Sequence, residues 1–286
     1  MKPITNVLIV GLGLMGGSYA RALTDKSVNV GALDIDQASV EYALKEGWIA
    51  SGQTEVTPAY LKQFDVIVFA LYPHTLIAWL EKYQAYLKPH ALLTDVTGVK
   101  GCVVYRVQAM LREDLEFIAA HPIAGRESSG VQYAKKEIFE GANYIVTPTE
   151  SNTQEAIERC KDLGKMLGFA RITELTPEKH DEMIGFLSQL THCIAVSLMT
   201  CRETAHLIDY TGDSFRDLTR IAKINDEMWS ELFLLNKDVL LEQMDLFEKQ
   251  FHVLREAIGA EDREKIRAMM RASTEQRKKF DIRQGE

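Results

Sequence analysis

The chain has 286 residues, 46% of them hydrophobic and 26% charged, the make-up of a globular protein long enough for two domains. A net charge of −8 argues against nucleic acid or an anionic membrane surface as a general partner, because both need a basic footprint; an anionic ligand must be gripped by a local Arg and Lys cluster. Cys102, Cys160, Cys193 and Cys201 form no Cys-x-x-Cys pair and no zinc-spaced set with histidine, so they read as reduced buried thiols and no metal is expected.

The first strand begins by about residue 5 without a signal-peptide core, and no later run supplies the roughly 18 apolar residues of a membrane span, so a cytoplasmic protein is expected. That strand ends at Gly11-Leu12-Gly13-Leu14-Met15-Gly16-Gly17-Ser18, glycines at G-x-G-x-x-G spacing between a β-branched run and a helix. Gly11 permits a tight turn, Gly13 lets a pyrophosphate approach the backbone, and Gly16 lets the helix lie close on the strand. A second strand, Val28 to Leu33, ends at Asp34, where an acid can accept the adenosine ribose hydroxyls and repel a 2′-phosphate. This predicts an NAD site of Gly11, Leu12, Gly13, Leu14, Met15, Gly16 and Asp34, with Leu71 and Tyr72 at the next strand end. Asp34 also reads as a strand-end turn acid, since Asp36 can cap the following helix.

Further along, Asp65–Leu71, Leu92–Asp95, Glu116–Ala119, Tyr144–Thr147 and Arg171–Glu174 read as strands; Gln37–Glu46, His74–Tyr86, Val99–Leu111 and Thr153–Leu167 carry a helical period. The alternation predicts an α/β fold, a doubly wound, mostly parallel Rossmann-type sheet whose strand ends at Tyr72, Thr97-Gly98 and His121 share one rim. Thr176-Pro177 opens a different texture, an N-cap and Pro at the first helical position, after which the chain is all helical. The expected domains are residues 1–175, binding NAD, and 176–286. The helix from Glu178 to about Leu207 is apolar on most of its circumference, and the following helical segments run Phe215–Lys223, Met228–Ile258 and Ala260–Lys279. Covering so apolar a helix calls for a second copy, hence a homodimer through the helical half. No appended regulatory domain is expected after the last helix.

His121 is the leading catalytic candidate, placed after a core strand, locked by Pro122, with Ala124 and Gly125 leaving room; a structural core histidine is the alternative. Arg216, Arg220 and Lys223 share a helix surface that can hold a carboxylate or simply be a solvated face paired with Asp217 and Asp226. Asp181, Gly185, Ser188 and His192 make a small and polar stripe, either a lined cavity or close helix packing.

Together the glycine turn, Asp95-x-x-x-Val99-Lys100, His121-Pro122-Ile123-Ala124-Gly125-Arg126-Glu127-Ser128-Ser129-Gly130, Thr176-Pro177-Glu178-x-His180-Asp181 and Phe215-Arg216-Asp217-x-Thr219-Arg220-Ile221-Ala222 resemble the prephenate dehydrogenases of tyrosine biosynthesis, over nearly the whole chain. The resemblance implies oxidative decarboxylation of prephenate to 4-hydroxyphenylpyruvate with NAD, His121 as the catalytic histidine, Arg220 on a substrate carboxylate, and His192, Glu127, Thr97, Gly98 and Arg216 around the substrate. Two departures stand out: Gly98 where the family reads a serine supporting the histidine, with Thr97 one position earlier, and Ser188-Gln189-Leu190-Thr191-His192 for Ser-His-Leu-Pro-His. Arogenate dehydrogenase is the nearest alternative. A β-hydroxyacid dehydrogenase lacks support because its Gly-x-x-Gly-x-Gly-x-x-x-Lys helix is not found, and an NAD-binding regulator without turnover is the non-enzyme alternative.

Overall fold

A computed structural model describes residues 3–125, 128–203 and 205–281. The chain runs β1 (Asn6–Val10), α1 (Leu14–Thr24), β2 (Asn29–Leu33), α2 (Gln37–Lys45), β3 (Ser51–Gln53), α3 (Pro58–Leu61), β4 (Val66–Phe69), α4 (Pro73–Tyr83), β5 (Leu92–Asp95), α5 (Gly101–Met110) and β6 (Glu116–Phe117). These six strands are parallel in the order β3-β2-β1-β4-β5-β6. The winding direction reverses between β1 and β4, which opens a crevice at their carboxyl ends. β3 and α3 carry too few residues for a period to reveal them in the sequence.

Side chains of β1 alternate between two cores, which is why the strand is apolar throughout. Val7 and Ile9 join Tyr19, Ala20 and Leu23 of α1 on one face. Leu8 and Val10 join Leu76 and Leu80 of α4 and Val103 and Val107 of α5 on the other.

The expected strand Glu116–Ala119 is two strands. The chain leaves the first sheet after Phe117 and continues as β7 (Ala119–Ile123), which pairs antiparallel with β8 (Asn143–Thr147); after α6 (Gln154–Leu167), β9 (Arg171–Glu174) pairs parallel with β8. This second sheet is anchored to the first by Ile118 N donating to the Leu93 carbonyl at 3.0 Å and Ala120 N donating to Asp95 Oδ1 at 3.1 Å. His121 therefore lies inside a strand, opposite Ile145, and not after one. Pro122 is tolerated there because β7 is an edge strand of that sheet.

α7 (Pro177–Ile184) is capped by Thr176, whose hydroxyl accepts from Lys179 N at 3.2 Å, and passes through a π-helical turn, Gly185–Gln189, into α8 (Leu190–Thr200). By length and composition this Pro177–Thr200 rod, mean hydropathy 1.4, is long and apolar enough to cross a membrane, contrary to the expectation that no run qualifies. Its buried residues include polar ones satisfied within the fold: His180 and Gln189 are buried and hydrogen-bonded to neighbouring elements. Nor is it buried all round, since Phe186 and Leu187 are 53% and 55% exposed in the single chain.

The short helices α9 (Leu207–Tyr210) and α10 (Asp213–Thr219), a 3₁₀ turn Arg220–Ala222, and α11 (Asp226–Leu235) complete a compact unit that extends to Asn236. α7 belongs to that unit because its Asp181 side chain hydrogen-bonds the start of α5. Where the sequence predicts one helix over Met228–Ile258 there is a break at Asn236, whose buried amide donates to the Asp181 carbonyl at 3.1 Å and to Gln189 Oε1 at 2.7 Å. The second compact unit, Lys237–Glu286, holds α12 (Lys237–Gly259) and α13 (Arg263–Asp281), joined by a short link. Leu241, Leu246, Phe251 and Ile258 of α12 are exposed apolar residues. Of the four free cysteines only Cys160 is buried; Cys201 is exposed, so the expectation of buried thiols fails there.

Candidate active site

The glycine turn lies at the crevice between β1 and β4. Gly11 has φ +95°, and a Cβ there would stand 2.5 Å from the Ala70 carbonyl oxygen, at the end of the neighbouring strand. A Cβ on Gly16 would come within 1.8 Å of the Gly11 carbonyl oxygen, so α1 can approach the turn only with glycine at 16. Gly13 is different: a Cβ there meets no atom within 4 Å. Two glycines are thus required by the fold, and the third leaves open the face where a pyrophosphate would lie against the amino end of α1.

Asp34 closes the other side of the turn. Its carboxylate accepts Leu12 N at 2.5 Å and Asp36 N at 2.8 Å, which fixes it at the end of β2, while Asp36 itself caps α2. Leu12 has its side chain in the core and its amide on Asp34, so it positions the acid. Leu14, Met15, Leu71 and Tyr72 are half-buried around the turn and the end of β4. α11 lies over this rim: Asn225 Nδ2 donates to the Tyr72 hydroxyl at 3.4 Å, and Glu231 Oε1 pairs with His74 Nδ1 at 2.6 Å.

The second part of the site is built around His121. Its Nδ1 lies 2.9 Å from His180 Nε2, and His180 Nδ1 lies 2.8 Å from Asp181 Oδ1. Asp181 accepts the Lys100 and Gly101 amides, each at 2.8 Å. Burial pushes His121 well below the ordinary histidine value, with repulsion from His180 and Lys100 acting the same way. Burial also lowers His180, against the opposing pull of Asp181. Both shifts favour the neutral rings.

Beneath them lies a buried ion pair. Lys100 Nζ donates to Asp95 Oδ2 at 2.7 Å and to the Ala120 carbonyl at 2.6 Å, tying the end of β5 to β7 next to His121. Burial lowers the Lys100 pKa, an effect partly reversed by Asp95. Thr97 belongs to this cluster: its hydroxyl bonds Asp95, accepts from Lys100 and lies 2.9 Å from the Val99 carbonyl. Thr97, expected at the substrate, is buried, with its hydroxyl engaged within this cluster. Position 98 is the one that faces the ring, since a Cβ on Gly98 would lie 3.9 Å from His121 Cε1 and 3.4 Å from Leu232 Cδ1.

His192 is oriented by Nδ1–H donation to the Ser188 carbonyl at 2.8 Å and by stacking on Trp229, ring centroids 3.7 Å apart. The turn that carries Arg220 packs on α8, the helix of His192. Arg216 is 59% exposed and pairs with Asp213 at 3.4 Å, the solvated-face alternative with a different acid from those expected. Glu127 lies outside the described residues. Of the polar stripe, Asp181 is committed to α5 and His180. Sequence reasoning gave no role to His180, Trp229 or Leu232; only the adjacency of His180 to Asp181 in a capped first turn hinted at the first.

Comparison with known proteins decides the family. Residues 19–173 match the model described as "Prephenate dehydrogenase, nucleotide-binding domain" and residues 176–272 that described as "Prephenate dehydrogenase, dimerization domain". The chain belongs to the prephenate dehydrogenase family. It is 30% identical to the prephenate dehydrogenase of Bacillus subtilis, over 97% of this chain and 76% of that one. A solved prephenate dehydrogenase from Aquifex aeolicus, in complex with hydroxyphenyl propionate and NAD+, superposes with a TM-score of 0.88 at 32% identity, covering 98% of this chain and 99% of that one. Synechocystis arogenate dehydrogenase, at 23% identity, TM-score 0.82 and coverage of 96% and 100%, shares the fold. As a member of the prephenate dehydrogenase family the chain is an NAD-dependent oxidoreductase, and the open face at Gly13 with Asp34 opposite suits that cofactor.

Proposed function

We propose that the chain catalyses the NAD-dependent oxidative decarboxylation of prephenate to 4-hydroxyphenylpyruvate, with His121 as the base. The observation that carries the reading is the half-buried His121 imidazole, whose desolvation favours the neutral ring, next to the point where Ala120 N bonds Asp95 at the end of β5. Gly11, Gly13 and Gly16 with the amino end of α1 would hold the cofactor pyrophosphate and Asp34 the ribose; when bound, NAD supplies the hydride acceptor. His121 takes the hydroxyl proton on Nε2 as the carbonyl forms, while carbon dioxide leaves and the ring becomes aromatic. Arg220 holds a substrate carboxylate, with His192, oriented by Trp229 and the Ser188 carbonyl, beside it.

Residues 176–286 form the substrate-binding and dimerisation half in this reading, supported by the dimerisation-domain match and by the exposed apolar residues of the π-helical turn and α12. The protein acts in the cytoplasm as a homodimer. NADH formation followed at 340 nm with prephenate and with arogenate, each with NAD and with NADP, tests the assignment. Turnover of prephenate with NAD is expected; preference for arogenate would move the chain to the family's other substrate, and equal use of NADP would remove Asp34 from the ribose.

A further inference from the structure

Two backbone donors, Lys100 N and Gly101 N, bind the two oxygens of Asp181 at the start of α5, which fixes the carboxylate in place. An ionised carboxylate only accepts, so the 2.8 Å contact from His180 must be Nδ1–H donating, and neutral His180 then carries its lone pair on Nε2. That lone pair faces His121 Nδ1 at 2.9 Å, which requires the proton on His121 Nδ1 and leaves Nε2 of His121 as the basic nitrogen. No hydroxyl at position 98 competes, because Gly98 has no side chain and the Thr97 hydroxyl is committed to the Asp95 and Lys100 cluster.

Building on the reading of His121 as the base, we propose that Asp181 and His180 are positioning residues, Asp181 setting the tautomer of His180 and His180 that of His121, so that Nε2 of His121 is the proton acceptor. No proton passes along the chain of rings. When His121 becomes an imidazolium, the fixed carboxylate at the far end of the chain favours the new charge without moving.

Nitrogen-15 NMR of the histidine-labelled full-length protein reads the tautomer directly, and wild type should show His121 protonated on Nδ1 and bare on Nε2. The opposite tautomer overturns the proposal, even if every variant fails to fold. Asp181→Asn should lower kcat about a hundredfold or more, leave KM for prephenate within about threefold, and turn the His121 signal into a tautomer mixture. His180→Gln can still reach the His121 Nδ1 proton with Oε1, whereas His180→Asn stops short, so Gln should keep at least roughly tenfold more kcat than Asn. Equal losses in the two His180 variants, or an unaltered His121 tautomer in Asp181→Asn, overturn the proposal. A wild-type kcat in His121→Asn would instead sink the reading of His121 as base, while the resting tautomer would still be measured.

Discussion

The glycine turn and the His121 cluster sit on the same rim but are specified differently. The turn is a contiguous stretch whose glycine requirements are mostly local: Gly11 needs a positive φ, with the Ala70 carbonyl at the end of β4 as its one distant neighbour, Gly16 has a carbonyl oxygen in the place of its Cβ, and Gly13 faces open space. The cluster is assembled from the end of β5, the middle of β7, the first turn of α7 and the side of α11, elements spread along the chain from Asp95 to Leu232. A local device tolerates change around it and fails at single atoms. A non-local one depends on the sheet and helix packing that delivers its parts.

Several substitutions break or sharpen that contrast. His121→Asn should lower kcat by about two decades or more with NAD affinity nearly unchanged, read by steady-state kinetics and cofactor titration; wild-type turnover would take the cluster out of the chemistry. Arg220→Gln should raise KM for prephenate about ten- to a hundredfold, the worth of a charged hydrogen bond, and an unchanged KM would return it to the solvated face. Gly16→Ala and Gly13→Ala form a matched pair. The first should destabilise the fold by about 1–3 kcal/mol through an unavoidable clash, lowering Tm, while the second should leave Tm alone and weaken NAD binding. If Gly13→Ala binds NAD as wild type does, the open face is not the cofactor's.

The smallest effect concerns pH. His121 and His180 are both depressed in the folded state, so below the ordinary histidine value the unfolded chain binds protons that the native one does not. Stability should therefore be complete above about pH 6.5 and fall as the pH drops below it. The acid limb of kcat should lie below the same value. Chemical denaturation at pH 7.5 and 5.5, with the slope reduced in His180→Gln, checks the sign.

By itself the sequence determined the parallel sheet, the glycine turn, the caps at Asp36 and Thr176, and the family, because each is written in short-range patterns: strand runs, glycine spacing, N-cap chemistry, motif order. It placed His121 at the rim but misread its strand, since a two-residue β6 running into β7 has no periodicity to mark the change of sheet. It could not separate Thr97 from Gly98, one residue apart, although one hydroxyl is spent on Asp95 and the other position faces the imidazole. Only the tertiary structure decided that His121 meets His180, that Asp181 is held by the amides of α5, and that Asn236 breaks a helix to bond Gln189. Those are pairings between elements distant in the chain, and the physics that selects them, burial and hydrogen-bond satisfaction, acts only once the elements have packed.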